Sequence, residues 1–126
     1  MATRDWLRRY WQAVAAQDAQ AMRAYFDPQA EIRWHNTNER FTLDAFIRAN
    51  CEYPGAWAGE VERAEIFLDH AVTVTRVWAT DGDASLHVVS FFKLQKEKIR
   101  LLDEYWGDDG PAPAWRQALQ LGKPIR

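Results

Sequence analysis

The hydrophobic positions of this chain change period once along its length, from helical spacing to alternation. Trp6, Tyr10 and Val14 recur at i, i+4, with Leu7 and Trp11 beside them, and predict a first helix with one apolar stripe. Gln17-Asp18 breaks that pattern. Asp18 can cap a second, short helix over 19–26 that buries Met22, Tyr25 and Phe26, and Asp27-Pro28 stops it. Residues 31–36 read as a strand with Ile32, Trp34 and Asn36 on one face, followed by a polar loop over 36–39. Phe41-Thr42 opens a third helix, with Thr42 as its cap and Phe41 and Phe46 at hydrophobic-staple positions. Tyr53-Pro54-Gly55 ends it.

The remainder alternates. Residues 60–68, 71–80, 85–94 and 98–106 are four strand candidates, and the links between them are so short that neighbours must run antiparallel. Helices followed by an antiparallel run predict an α+β domain, with the three N-terminal helices on one face of a curved sheet. The outer face of the third of these strands would show His87, Val89 and Phe91, too apolar for open water, which predicts a homodimer through that face. The tail, 110–126, is proline-rich and then briefly helical over 114–121. It is expected to strap across the body with Trp115 as its anchor.

Composition narrows this picture. A chain of 126 residues fits one domain, 1–126, and 48% hydrophobic residues can build a core without disulfides. A net charge of −2, with both signs mixed along the chain, excludes nucleic acid as the expected partner. Cys51 stands alone in a helical pattern and reads as a small core residue, with a nucleophile as the alternative. No apolar leader or membrane-length run is present, so no membrane association is expected and a reducing cytoplasm is the expected compartment. Seven tryptophans in so short a chain point to an aromatic-lined pocket for a small hydrophobic or aromatic ligand.

Three stretches carry a resemblance. Arg9-Tyr10 through Asp18, Phe26, Ala30 and Ile32, the ending Leu102-Asp103-Glu104-Tyr105-Trp106-Gly107, and the Tyr53-Pro54-Gly55 corner stand in this order. They resemble the nuclear transport factor 2-like superfamily of ketosteroid isomerases, scytalone dehydratases and SnoaL-like polyketide cyclases, and in particular a SnoaL-like subgroup. The resemblance implies a cone-shaped curved sheet, also described as cystatin-like, around a pocket. Against ketosteroid isomerase, Tyr10 matches the tyrosine that donates to the developing enolate. The general-base aspartate of that enzyme falls on Trp34, and its neutral oxyanion-hole aspartic acid falls on Ser90. Both catalytic aspartates are thus absent, which excludes enolisation by that machinery.

Strand parity supplies the remaining candidates. If Ser90 and Trp106 face inward, so do Leu86, Val88, Phe92, Leu102 and Glu104, which leaves Glu104 as a carboxyl between apolar walls. Asp103 then faces outward, and a one-residue slip would exchange the two. Arg76 and Trp78 share a face, and if that face is inward Arg76 reaches Glu104. Such a pair is either catalytic, with Glu104 as base or anchor, or a structural ion pair. Asn36 is either a ligand contact or a loop-satisfying amide, and Trp57 is a lid or lining residue. The expected ligand-binding set is therefore Tyr10, Trp34, Asn36, Trp57, Arg76, Trp78, Ser90 and Trp106, with Glu104 as the catalytic candidate. Neither a metal nor a cofactor is expected, because no histidine pair has ligand spacing and no glycine-rich phosphate loop occurs. The expected activity is isomerase, cyclase or lyase chemistry by proton transfer on a hydrophobic cyclic substrate. A non-catalytic ligand-binding module or a dimerisation domain is the alternative.

Overall fold

The computed structural model describes residues 2–126. Helix α1 spans Arg4–Ala15, starts on the Thr3 cap and ends in a left-handed residue, Gln17, with φ 56°. The Gln17 and Asp18 amides donate back to the Val14 and Ala13 carbonyls, the pairing that closes a helix end when the next residue turns left-handed. Helix α2, Ala19–Arg23, is capped by Asp18 as the sequence predicts, but it stops short of Phe26. Phe26 instead opens strand β1, Phe26–Trp34. Pro28 does not break this strand, because it lies where the β1 pairing shifts between Phe26 and Glu31 and no ladder donor is needed.

The polar 36–39 stretch is a tight turn into a strand that the sequence pattern did not reveal, β2, Glu39–Thr42. Thr42 then caps α3, Leu43–Cys51, where it was expected. Strands β3, Trp57–Phe67, β4, His70–Ala79, β5, Ser85–Gln95, and β6, Lys98–Asp108, form the meander. A last helix, α4, spans Ala114–Leu119.

The six strands form one curved, unclosed sheet in the order β2-β1-β6-β5-β4-β3. Every pair is antiparallel except β1 with β6, so the expected antiparallel sheet is in fact mixed. The exception follows from connectivity: β1 returns to the sheet only through the whole meander, a span long enough for a parallel neighbour.

Helices α1 and α3 cover the concave face. Gly59 on β3 lets the end of α1 approach: a Cβ there would lie 3.5 Å from that of Ala15. The core below is aromatic and centred on Tyr10, which is fully buried and meets Trp11, Tyr25, Phe26 and Phe92 edge-to-face at centroid distances of 5.5–5.7 Å. Trp115, expected to anchor the tail, is 60% exposed, and α4 buries no residue against the body. Its ring lies beside the Arg116 guanidinium, 5.3 Å from the centroid.

Candidate ligand cavity

Cross-strand register places the chemistry. Trp34 on β1 lies opposite Glu104 on β6, Glu104 opposite Ser90 on β5, and Ser90 opposite Thr73 on β4. These four side chains form one inward row across the concave face. Hydrogen bonds join the first three of these side chains, and the fourth is held from helix α1. The Trp34 indole donates to Glu104 Oε1 at 3.1 Å, the Ser90 hydroxyl to Oε2 at 2.7 Å, and the Trp11 indole to Thr73 Oγ1 at 3.2 Å.

Glu104 is 5% exposed. Its pKa is raised above the ordinary 4.5 because burial disfavours the charge more than the Ser90 and Trp34 hydrogen bonds favour it. The same charge, after burial itself, helps push the Tyr10 hydroxyl well above its ordinary value.

Above this row lies a cavity of about 340 Å³, within the size range of small-molecule sites. The sheet side supplies Trp34, Trp106, Val88, Leu86 and Glu104. The helix side supplies Trp11, Gln17, Phe46 and Asn50, and Tyr53 and Trp57 close the edge. Trp34 and Trp106 meet nearly at right angles, 6.3 Å apart, and Tyr53 and Trp57 make a second corner at 5.5 Å.

The sequence-derived candidates separate here. Glu104, Trp34, Trp57 and Trp106 line the cavity. Ser90 is fully buried and reaches it only through Glu104. Tyr10 does not line it, being held in the core by the aromatic contacts above. Asn36 continues the β1–β6 ladder with its side chain: its amide donates to the Trp106 carbonyl and accepts from the Trp106 amide at 2.8 Å. It positions Trp106 instead of lining the cavity, which is the loop-satisfying reading.

Arg76 and Trp78 require a correction. Thr75 pairs with Val88 and Val77 with Leu86, so odd-numbered residues of β4 face inward while Arg76 and Trp78 face out. Arg76 lies over the Trp78 ring at 4.7 Å and donates to Ser85 Oγ, and no Arg76–Glu104 pair forms. Asp103 faces outward as parity predicted. The Arg33 hydrogen bonds hold its carboxyl below the ordinary range, with a smaller contribution from His35.

Sequence reasoning missed Trp11, Gln17, Glu39, Phe46, Asn50 and Tyr53 as lining residues. The Gln17 side-chain amide donates to the Asn50 and Tyr53 carbonyls, tying the end of α1 to the end of α3 at the cavity edge. The break at Gln17-Asp18 and the Tyr53-Pro54 corner were visible in the sequence. Their meeting in space was not. Among the described residues, no three His, Cys, Asp or Glu side chains converge to hold a metal ion, and no helix is long and apolar enough to cross a membrane.

Burial gives Glu104 a definite pH signature. Because its folded pKa lies above that of the unfolded chain, unfolding releases a proton in the window above about pH 4.5. Stability therefore falls as pH rises from the unfolded value through the folded one, and stays lower beyond it. In Glu104→Gln this loss is absent, so the thermal midpoint of the variant relative to the parent rises with pH across that window. A difference that is flat or falls with pH would refute the buried carboxyl.

Comparison with known proteins places this geometry. The sequence model for the SnoaL-like domain matches residues 7–102. No curated protein sequence matches the chain. Among solved structures, a proposed ketosteroid isomerase from Kribbella flavida DSM 17836 is similar over 94% of this chain and 85% of its own, with TM-score 0.76 and 20% identity. A nuclear transport factor 2-like protein of unknown function from Burkholderia xenovorans LB400 is similar over 94% and 91%, with TM-score 0.75 and 23% identity. A proposed SnoaL-like polyketide cyclase from Jannaschia sp. CCS1 is similar over 78% and 80%, with TM-score 0.67 and 16% identity. At these identities the likeness is one of fold.

Proposed function

The chain belongs to the SnoaL-like domain family, and on that premise we propose that its cavity binds a hydrophobic cyclic small molecule on which Glu104 transfers a proton, in an isomerase, cyclase or lyase reaction. The observation that carries this reading is a buried carboxyl, with raised pKa, on the wall of a tryptophan-lined cavity. Raising the pKa of a carboxyl toward neutrality makes its ionised form a stronger base and keeps its acid form available as a donor.

Ser90 and Trp34 each donate one hydrogen bond to a different carboxyl oxygen. They fix the side chain while leaving lone pairs free for a substrate proton. As base, Glu104 takes a proton from the substrate, and the electron pair left behind delocalises within the substrate. As acid, it returns that proton at a second atom of the substrate or to a departing group.

One observation favours the non-catalytic alternative. Tyr10, Asn36 and Arg76, the polar members of the expected ligand-binding set that could polarise a substrate oxygen, all lie off the cavity. The test is proton exchange. Cyclic ketones that quench the tryptophan fluorescence are incubated with the protein in deuterated water, and deuterium uptake is followed by NMR. Binding with exchange supports the enzyme; binding without exchange makes the domain a ligand carrier.

The outer sheet face supports assembly of two copies. By register His87, Val89 and Phe91 all face outward, and Phe91 and Tyr105, 5.9 Å apart, are 46% and 45% exposed. Phe91→Glu places a charge in this patch and is expected to convert a dimer to monomer in sedimentation velocity without unfolding it. A parent protein that sediments as a monomer at high concentration would overturn the dimer.

A further inference from the structure

We propose that the ligand of this cavity is an organic cation: a hydrophobic ammonium compound whose charge sits among the indole rings and against Glu104. The proposal rests on the reading of the cavity as a small-molecule site and adds the charge and hydrogen-bonding character of what it takes. Three features of the wall lead to it.

The first is charge. The ionisable side chains on the cavity wall are acids or phenol: Glu104, Glu39 at the mouth, and Tyr53. Lysine, arginine and histidine are absent from the lining, and the arginine that sequence parity offered, Arg76, is on the opposite face of the sheet. An anionic substrate would meet carboxyls and no counter-charge, at a desolvation cost that nothing in the cavity offsets.

The second is the aromatic wall. Trp11, Trp34, Trp57, Trp106 and Tyr53 surround the space. The indole N–H groups of Trp11, Trp34 and Trp57 are already bonded within the protein, to Thr73, Glu104 and the Pro54 carbonyl. These rings therefore offer a ligand their π-systems and not their donors, and the negative face of an indole attracts a cation.

The third is the polarity of the remaining groups. Both lining amides use their N–H groups on the protein itself. Gln17 donates to the Asn50 and Tyr53 carbonyls, and Asn50 donates to the Val14 carbonyl and to Met22 Sδ. Their amide oxygens have no protein partner among the described residues. The Thr37 hydroxyl is likewise turned onto Glu39, at 2.7 Å. The wall thus carries four acceptor groups, two amide oxygens and two carboxyls, against two donors not used within the protein among the described residues, the Trp106 indole N–H and the Tyr53 hydroxyl. A ligand that brings N–H donors or a positive charge satisfies the acceptors, whereas a ligand that brings only acceptors can pair with the two donors and leaves the acceptors unsatisfied.

The test compares three rings of similar size by tryptophan fluorescence and calorimetry at neutral pH: phenyltrimethylammonium, its uncharged isostere tert-butylbenzene, and benzenesulfonate. The first two share shape and differ in charge. The cation is expected to bind about tenfold or more tightly than the isostere, and the sulfonate not to bind. In Glu104→Gln the preference for the cation over the isostere is expected to shrink while binding of the isostere persists. Isostere binding equal to or tighter than the cation's overturns the proposal and leaves the cavity a site for neutral ligands. Preferential sulfonate binding also overturns it, and failure of all three overturns the ligand-site reading with it.

Discussion

Glu104→Gln is expected to abolish proton transfer while the protein stays folded and keeps its affinity for a neutral ligand. The loss should be about a hundredfold to ten-thousandfold in turnover, the size of contribution a positioned acid or base makes. The amide is nearly isosteric with the carboxyl and still offers an oxygen to the Trp34 indole or the Ser90 hydroxyl, so packing in the row changes little. It cannot take up or release a proton at useful pH. Deuterium exchange into a bound substrate, followed for both proteins at matched occupancy, reads the effect directly. Full exchange in the variant would remove Glu104 from the chemistry. Ser90→Ala is the companion measurement: losing a donor to Oε2 should move the acidic limb of the pH profile upward, because that bond favours the carboxylate.

The second large effect concerns Tyr10, and two substitutions separate its ring from its hydroxyl. Tyr10→Ala removes the centre of the aromatic core and leaves a cavity among Trp11, Tyr25, Phe26 and Phe92. The expected cost is about 3–5 kcal/mol, the range for large aromatic truncations. Against a typical net stability of about 5–15 kcal/mol, that is enough to depopulate the native state on mild heating. Tyr10→Phe should behave in the opposite sense. The hydroxyl is buried with no hydrogen-bond partner among the described residues, so deleting it removes a desolvated polar group and leaves stability unchanged or raised by about 1 kcal/mol. Turnover should be retained. A Tyr10→Phe protein that folds but loses activity would place the hydroxyl in contact with substrate, as in ketosteroid isomerase, and contradict the geometry described above. Denaturant melts of the three proteins and one exchange assay decide the matter.

Several elements were legible from local chemistry. The Thr42 and Asp18 caps and the meander follow from side chains that act on backbone within a few residues, and alternation fixed which residues of β5 and β6 face inward. Glu104 and Trp106 inside, with Asp103, His87, Val89 and Phe91 outside, needed only parity once one position on a strand was known. The same rule failed to orient Arg76, because parity gives a face only relative to a neighbour, and it takes the Thr75–Val88 pairing to say which face is which. The spacing of Phe26 from Met22 fits a helix. Tertiary pairing with Ile99 draws Phe26 into β1.

The residues of this chain thus determined by themselves the class of fold, the family resemblance and an acid among tryptophans, since all three are written in periodicity and short-range order. Only the tertiary structure decided what surrounds that acid. Gln17, Asn50 and Tyr53 converge from the ends of two helices, Trp11 turns from core packing to cavity wall, and Tyr10, Asn36, Arg76 and Trp78 leave the site. These outcomes depend on contacts between residues far apart in sequence, whose geometry follows from sheet register and helix docking. No local pattern carries that information. The tryptophans announced a pocket; the folded chain made its wall largely aromatic and apolar, with the Glu104 carboxyl set into it.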